Sequence, residues 1–311
     1  MPRGVGVRLP EWPLLRRPTA LVIDLINERI TSPSNPRVKS AARLRESRQR
    51  RRDNLFLIDG LKNISLALAS GIQCTEIFVS EALWEAPSAE FSSVLARFGS
   101  DSLGATGDQS TTRWTRLTTA PMEKLQYGEQ HAEAIAVAIP PASTLESLGS
   151  RLGAAQAEDV HELYLVLDRL EKPGNLGAAM RTADAVGATA VLLSDPTGDI
   201  WNPNAIRASL GAMFTVPLAI DTWSVVYKWL ENRGVRSFAA RPENGRNYAQ
   251  VRFPEKTAIV IGNEAQGLGN RWQSQEIVSI QIPMVGKIDS LNASVTGAIL
   301  LFEAIRQRQR A

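Results

Sequence analysis

Leu163-Tyr164-Leu165-Val166-Leu167 is apolar at every position, so it cannot be a strand with one face in water. The pattern recurs in Ala190-Val191-Leu192-Leu193, in Thr257-Ala258-Ile259-Val260-Ile261 and over residues 277–282. Such runs are of strand length and shorter than an ordinary buried helix. Strands buried on both faces occur where helices cover both sides of a mainly parallel sheet. The second half of the chain is therefore expected to be an α/β domain. Good helix formers over residues 294–306 predict a terminal helix.

The first half reads as a smaller α/β domain. A basic helix is followed by the strand Leu55-Phe56-Leu57-Ile58, a helix over residues 64–69, the strand Ile77-Phe78-Val79 and a last strand over residues 134–139. Residues 99–112, rich in Gly, Ser, Thr and Asp, read as a loop. Residues 140–159, opening on Pro140-Pro141-Ala142-Ser143, have no strong periodicity and read as a linker. Residues 1–29 carry arginines and prolines, and their apolar stretch is broken by Asp24, unlike a secretory signal. The expected organisation is an N-terminal extension 1–29, a domain 30–140, a linker 141–159 and a domain 160–311. A chain of 311 residues can supply two cores, at roughly 100–200 residues each.

Composition matters here for what it excludes. Cys74 is the single cysteine and His131 and His161 are the two histidines, so neither an internal disulfide nor a structural zinc site has enough ligands, and no metal is expected. Cys74, in the apolar-flanked stretch of residues 73–79, fits a small buried side chain in a reducing cytoplasm. No apolar run approaches the ~20 residues of a membrane helix. The net charge is only +3, yet residues 37–52 hold Arg37, Lys39, Arg43, Arg45, Arg48, Arg50, Arg51 and Arg52 against the lone acid Glu46. Such a patch suits a phosphate backbone through counterion release, although a solvated helix face has the same composition.

Three polar segments follow three expected strands, where open parallel sheets place ligand-binding loops. The first runs from Asp168 through Asn175-Leu176-Gly177 to Arg181. Asn175 is a candidate helix N-cap, and Arg181, nearly two turns on, could meet a substrate phosphate or form a surface ion pair. The second, Gly262-Asn263-Glu264-Ala265-Gln266-Gly267-Leu268-Gly269, has glycines that permit close backbone approach. It matches neither the dinucleotide fingerprint nor the phosphate loop. The third leads from Ile282 through a glycine loop to Ser290-Leu291-Asn292-Ala293-Ser294, whose polar side chains are candidate helix caps.

In this order the three segments closely resemble the motifs of the SpoU/TrmH branch of the SPOUT RNA methyltransferases. The resemblance spans nearly all of residues 163–306, through Asn175-Leu176-Gly177 with Arg181, Gly262-Asn263-Glu264 with Gly267, and Ser290-Leu291-Asn292-Ala293-Ser294. It implies an α/β fold with a trefoil knot, S-adenosylmethionine as methyl donor, an RNA ribose 2′-hydroxyl as acceptor, and a homodimer with composite active sites. It also implies cofactor contacts at Gly262, Ile282 and Leu291, and catalytic or substrate-positioning roles for Asn175, Arg181, Glu264, Ser290 and Asn292.

The first half resembles, less specifically, the ribosomal-protein-like substrate-binding domain of many such enzymes, through residues 30–39 and Phe56-Leu57-Ile58-Asp59-Gly60. Asp59 stands where a glutamate is commoner. This arrangement favours ribosomal RNA over tRNA and makes Arg37, Lys39, Arg43, Arg48 and Arg51 the expected RNA contacts. Bringing a guanidinium from ~12.5 to ~7.5 so that it could act as a general base would cost about 7 kcal/mol. Arg181 is therefore expected to bind the phosphate beside the target ribose and to acidify its hydroxyl electrostatically, while Glu264, Ser290 and Asn292 position the reacting groups. Two alternatives remain open at this point. A tRNA ribose methyltransferase would differ in its RNA preference, and a non-catalytic RNA-binding or ribosome-assembly protein of the same fold would have no need to bind the cofactor.

Overall fold

The computed structural model describes residues 28–98, 112–126, 131–154, 161–243, 245–287 and 289–309. The expected extension, except for its last two residues, and nearly all of the loop at 99–112 lie outside the described residues.

The first unit comprises β1 (Arg29–Ile30), α1 (Pro36–Arg43), α2 (Ser47–Asp53), β2 (Phe56–Asp59), α3 (Leu61–Ala69), β3 (Cys74–Ser80), α4 (Glu81–Glu85), α5 (Ala89–Phe98), β4 (Arg113–Leu117), α6 (Thr119–Leu125) and β5 (Ala134–Ala138). Its sheet has the order β1-β4-β3-β5-β2, with β5 antiparallel to both neighbours and the other pairs parallel. The single basic helix expected from sequence is two helices. α1 begins at Asn35, whose side chain accepts from the Arg37 amide at 2.9 Å, and α2 ends at Asn54 in the left-handed region.

The second unit comprises α7 (Leu145–Ala154), β6 (Glu162–Asp168), α8 (Pro173–Ala185), β7 (Ala190–Ser194), α9 (Pro203–Ser209), α10 (Ala212–Thr215), β8 (Leu218–Asp221), α11 (Trp223–Asn232), β9 (Arg236–Ala240), β10 (Arg246–Asn247), β11 (Lys256–Ile261), β12 (Val278–Gln281) and α12 (Ala293–Arg308). Its strands pair in parallel throughout, in the order β10-β12-β9-β11-β6-β7-β8. The unbroken apolar runs have the cause inferred from sequence. Leu163, Leu165 and Leu167 of β6 pack in one core with Leu176 and Met180 of α8 and Leu300 of α12, while Tyr164 and Val166 face the other way, onto Val226 and Leu230 of α11. α7 occupies the stretch expected to be a plain linker. Its Leu145 and Leu148 belong to the same core as Tyr164, and the Ser143 carbonyl accepts from the Ile220 amide at 2.8 Å.

α8 and α9 touch closely because residue 177 is glycine. A Cβ there would stand 2.5 Å from the Ala205 carbonyl oxygen. The two units are docked through buried contacts. The Phe56 ring stacks on Trp201 with centroids 4.6 Å apart, and the buried Arg50 donates through Nε to Asp199 at 2.8 Å. Among the described residues no helix is long and apolar enough to cross a membrane.

Candidate active site

A parallel sheet sends all its strand ends to one edge. At that edge the loops after β9, β11 and β12 enclose a cavity of about 650 Å³. Leu268, Ile280, Ile282, Met284, Leu291 and Leu300 supply apolar wall, and the charged lining residues are Arg241, Glu243, Glu264 and Asp289. Three carboxylates against one guanidinium leave the cavity an acidic rim.

The loop after β11 folds on itself. The Asn263 Oδ1 accepts from the amides of Ala265 at 2.8 Å and Gln266 at 3.2 Å, and the Gly267 amide donates to the Asn263 carbonyl at 2.8 Å. Gly262 lies directly under the returning chain. A Cβ on it would stand 2.4 Å from the Gly267 carbonyl carbon and 2.6 Å from the Leu268 nitrogen, so the loop can close only over glycine.

At the mouth of this loop three motif side chains meet. The Asn175 Nδ2 donates to Glu264, and Asn292 Nδ2 donates to Asn175 Oδ1 at 3.0 Å. Asn292 caps α12, its Oδ1 accepting from the Ser294 amide at 2.9 Å and the Ser294 hydroxyl at 2.6 Å. Asn175 is not a cap, contrary to the sequence reading. α8 starts at Pro173, whose fixed φ and absent N–H suit the first helical position, so Lys172 is the cap and the Asn175 side chain is free to bond across the loops. Gly262, Ile282 and Leu291, the expected cofactor contacts, all line the cavity, as do Glu264 and Ser290. Ser290 is exposed and does not cap α12.

Arg181 is not part of this cluster. At 1.5 Å and 100° per residue it lies ~9 Å along α8 from Asn175 and ~120° around it. It is exposed, outside the cavity lining, with no ion-pair partner among the described residues.

Of the expected RNA contacts, Lys39, Arg43, Arg48 and Arg51 are exposed on α1 and α2. Arg37 is not available in the same way. Its guanidinium is held by Glu28, Glu76 and the Thr115 hydroxyl, because the first residues of α1 sit over β3 and β4. Arg45 and Arg50 also turn inward, to Asp59 and Asp199. The run of charge therefore splits between a solvent face and structural pairs, a division set by helix phase that composition does not show.

Two cavity-wall residues were given no role in the sequence reading. Asn263 was quoted only as part of the second motif, although an asparagine directly after a strand-end glycine is an Asx-turn signal. Arg241 follows β9, a short strand beginning on a charge and lacking an unbroken apolar run. Its guanidinium donates to the Gly269 carbonyl at 2.9 Å and the Arg271 carbonyl at 2.6 Å. Burial lowers its pKa from the ordinary arginine value. Burial also pushes the Cys74 thiol up to about 12. Among the described residues no cluster of His, Cys, Asp and Glu could hold a metal ion.

Residues 162–302 match the SpoU rRNA Methylase family, and residues 35–133 match the MRM3-like substrate binding domain. The chain is 29% identical over 289 residues to a 23S rRNA (uridine(2479)-2′-O)-methyltransferase of Streptomyces viridochromogenes, covering 90% of this chain and 92% of that one. A crystal structure of an RNA 2′-O ribose methyltransferase superposes with a TM-score of 0.70 at 35% identity, covering 90% of this chain and 99% of the other. An AdoMet-bound rRNA methyltransferase from Sinorhizobium meliloti gives 0.75 at 25% identity, with 90% and 97% covered.

Proposed function

The chain belongs to the SpoU rRNA methylase family, and we propose that it transfers the methyl group of S-adenosylmethionine to a ribose 2′-hydroxyl of ribosomal RNA. The observation that carries this is the meeting of Asn175, Glu264 and Asn292 at the mouth of a cavity lined by Gly262, Ile282 and Leu291.

The cavity suits the donor. Its volume falls within the ~300–1,000 Å³ range of small-molecule sites, its apolar wall can cover an adenine, and its acidic rim complements a sulfonium cation. When bound, S-adenosylmethionine supplies an electrophilic methyl group on a sulfur that is already a good leaving group. The protein then has mainly to align a ribose oxygen with that methyl, and near-attack geometry can supply an effective molarity of ~10⁵–10⁸ M. Gly262, Ile282 and Leu291 would hold the donor. The bonded set Asn175, Glu264 and Asn292, with Ser290 on the rim, would orient the ribose.

Arg181 would bind the phosphate beside the target ribose and favour loss of the hydroxyl proton electrostatically. Its place on the outward face of α8 supports a homodimer with composite sites, in which Arg181 serves the partner's cavity. Val295 and Phe302, two helical turns apart on α12, are 46% and 52% exposed and supply an apolar face for such a dimer. The same reading gives residues 30–140 the RNA-binding role and residues 160–311 the chemistry, in a knotted backbone and a cytoplasmic protein.

The test is transfer of labelled methyl to ribosomal RNA and, separately, tRNA by wild type and Arg181→Ala, followed by nucleoside analysis. Label is expected as 2′-O-methylnucleoside in ribosomal RNA and lost in the variant. Label confined to tRNA would replace the substrate, and absent cofactor binding would favour a non-catalytic RNA-binding protein.

A further inference from the structure

Beneath the cavity, at the end of β6, lies the fully buried carboxylate of Asp168. Its Oδ1 accepts from the Ser194 hydroxyl and from Trp272 Nε1 at 3.2 Å, with the Arg271 guanidinium 3.6 Å away, and its Oδ2 accepts from Arg169 Nε at 3.0 Å. Arg169 reaches from this anchor into the loop that walls the cavity. It donates to the Gly267 carbonyl at 3.0 Å and to Gln266 Oε1 at 3.3 Å, and its own carbonyl accepts from Asn263 Nδ2 at 3.0 Å. Arg271 closes the far side by pairing with Asp195.

The backbone at this hub is strained. Five described non-glycine residues have positive φ, and three of them, Arg169 at 54°, Asp195 at 44° and Trp272 at 54°, are members of this network. Strained residues of this kind persist where surrounding contacts over-determine them, and they gather at functional sites.

We propose that Asp168 and Arg169 are positioning residues of the methyl-transfer reaction, forming a clamp that holds residues 263–269 in the conformation that receives the donor. The proposal rests on the donor-site reading of the cavity. Asp168 fixes the guanidinium from below, and the planar fork of Arg169 carries that rigidity to the Gly267 carbonyl and Gln266. Lysine has the charge but not the fork.

The experiment measures amide hydrogen exchange of residues 263–269 without ligand, S-adenosylmethionine Kd by calorimetry, and Tm, for wild type, Arg169→Lys, Arg169→Gln and the isosteric Asp168→Asn. Faster loop exchange and a Kd raised at least tenfold are expected in both Arg169 variants, with exchange elsewhere in the sheet unchanged. Loop exchange and Kd within twofold of wild type in both would overturn the clamp. A Tm drop with exchange faster throughout the sheet would also overturn it, by showing a general structural role. If wild type itself fails to bind the donor, the functional reading falls, and loop exchange still decides the clamp.

Discussion

Replacing Gly262 by alanine tests the donor site at its narrowest point. The new methyl would stand 2.4 Å from the Gly267 carbonyl carbon, where ordinary contact begins near 3.4 Å, so the loop must retreat by about 1 Å. It cannot do so freely, because the Gly267 amide is bonded to the Asn263 carbonyl at 2.8 Å and the Gly267 carbonyl to Arg169 at 3.0 Å. Inserting a methyl into a packed site of this kind costs roughly 1–3 kcal/mol. If that strain falls on the donor-bound form, the Kd for S-adenosylmethionine rises by roughly 5- to 150-fold at 1.4 kcal/mol per factor of ten. A 1 Å displacement of Glu264 costs turnover a further ~10²-fold. Calorimetry gives the Kd and single-turnover methyl transfer gives the chemical step. Gly286→Ala is the control, since a Cβ there meets nothing within 4 Å. A Gly262→Ala protein that binds donor within twofold of wild type, at unchanged Tm, would refute the packing argument.

Three further outcomes follow from the geometry. Charge reversal at Arg43, Arg48 and Arg51 should weaken RNA binding and flatten its log–log salt dependence by roughly 0.7–0.9 per lost phosphate contact, whereas Arg37→Ala should lower Tm; unchanged RNA affinity would make the patch a solvated face. Burial alone would raise the Glu162 carboxyl, but hydrogen bonds from Tyr164, Lys256 and Arg233 together hold it below the ordinary glutamate value of 4.5. A depressed folded pKa stabilises the protein above the unfolded value and is lost as pH falls through the folded one. The Tm gap between wild type and Glu162→Gln should therefore narrow below about pH 4.5, and a constant gap would contradict this. Cys74, buried and with its thiol raised to about 12, should resist alkylation in native protein at pH 8 and react on unfolding, as mass spectrometry can follow.

What the sequence made visible was whatever is written in contiguous residues. The runs at 163–167, 190–193 and 257–261 became β6, β7 and β11 because both faces of each strand are covered. β9 was missed although it lies inside the sheet. It begins on the exposed Arg236 and the buried but polar Ser237, which leaves too short an apolar run to signal its burial. α7 was missed because small and polar residues dilute its apolar stripe, leaving Leu145 and Leu148 to anchor it. Two of the three loops that wall the cavity, those after β11 and β12, were legible in the sequence, whereas the loop after β9 and the order of bonding at the mouth were not. That Asn175 reaches Glu264 and Asn292 depends on where α8 starts, and that depends on Pro173. The anchoring of Arg169 on Asp168 needs Ser194, Trp272 and Arg271, which come from distant parts of the chain and meet only in three dimensions.

The pairing of β6 with β11 also governs how quickly the second unit can form. Glu162 lies opposite Lys256, so the strand that completes the middle of the sheet arrives roughly ninety residues after the one it joins, and closing a loop of that size costs on the order of 4 kcal/mol of chain entropy before any pairing compensates. Topologies dominated by such distant contacts fold slowly. Until β11 docks, the apolar edge of β6 is open to other chains. A nascent or refolding molecule is therefore most vulnerable to aggregation in that interval, and dilution or chaperone capture should raise its refolding yield more than any change that only stabilises the finished sheet.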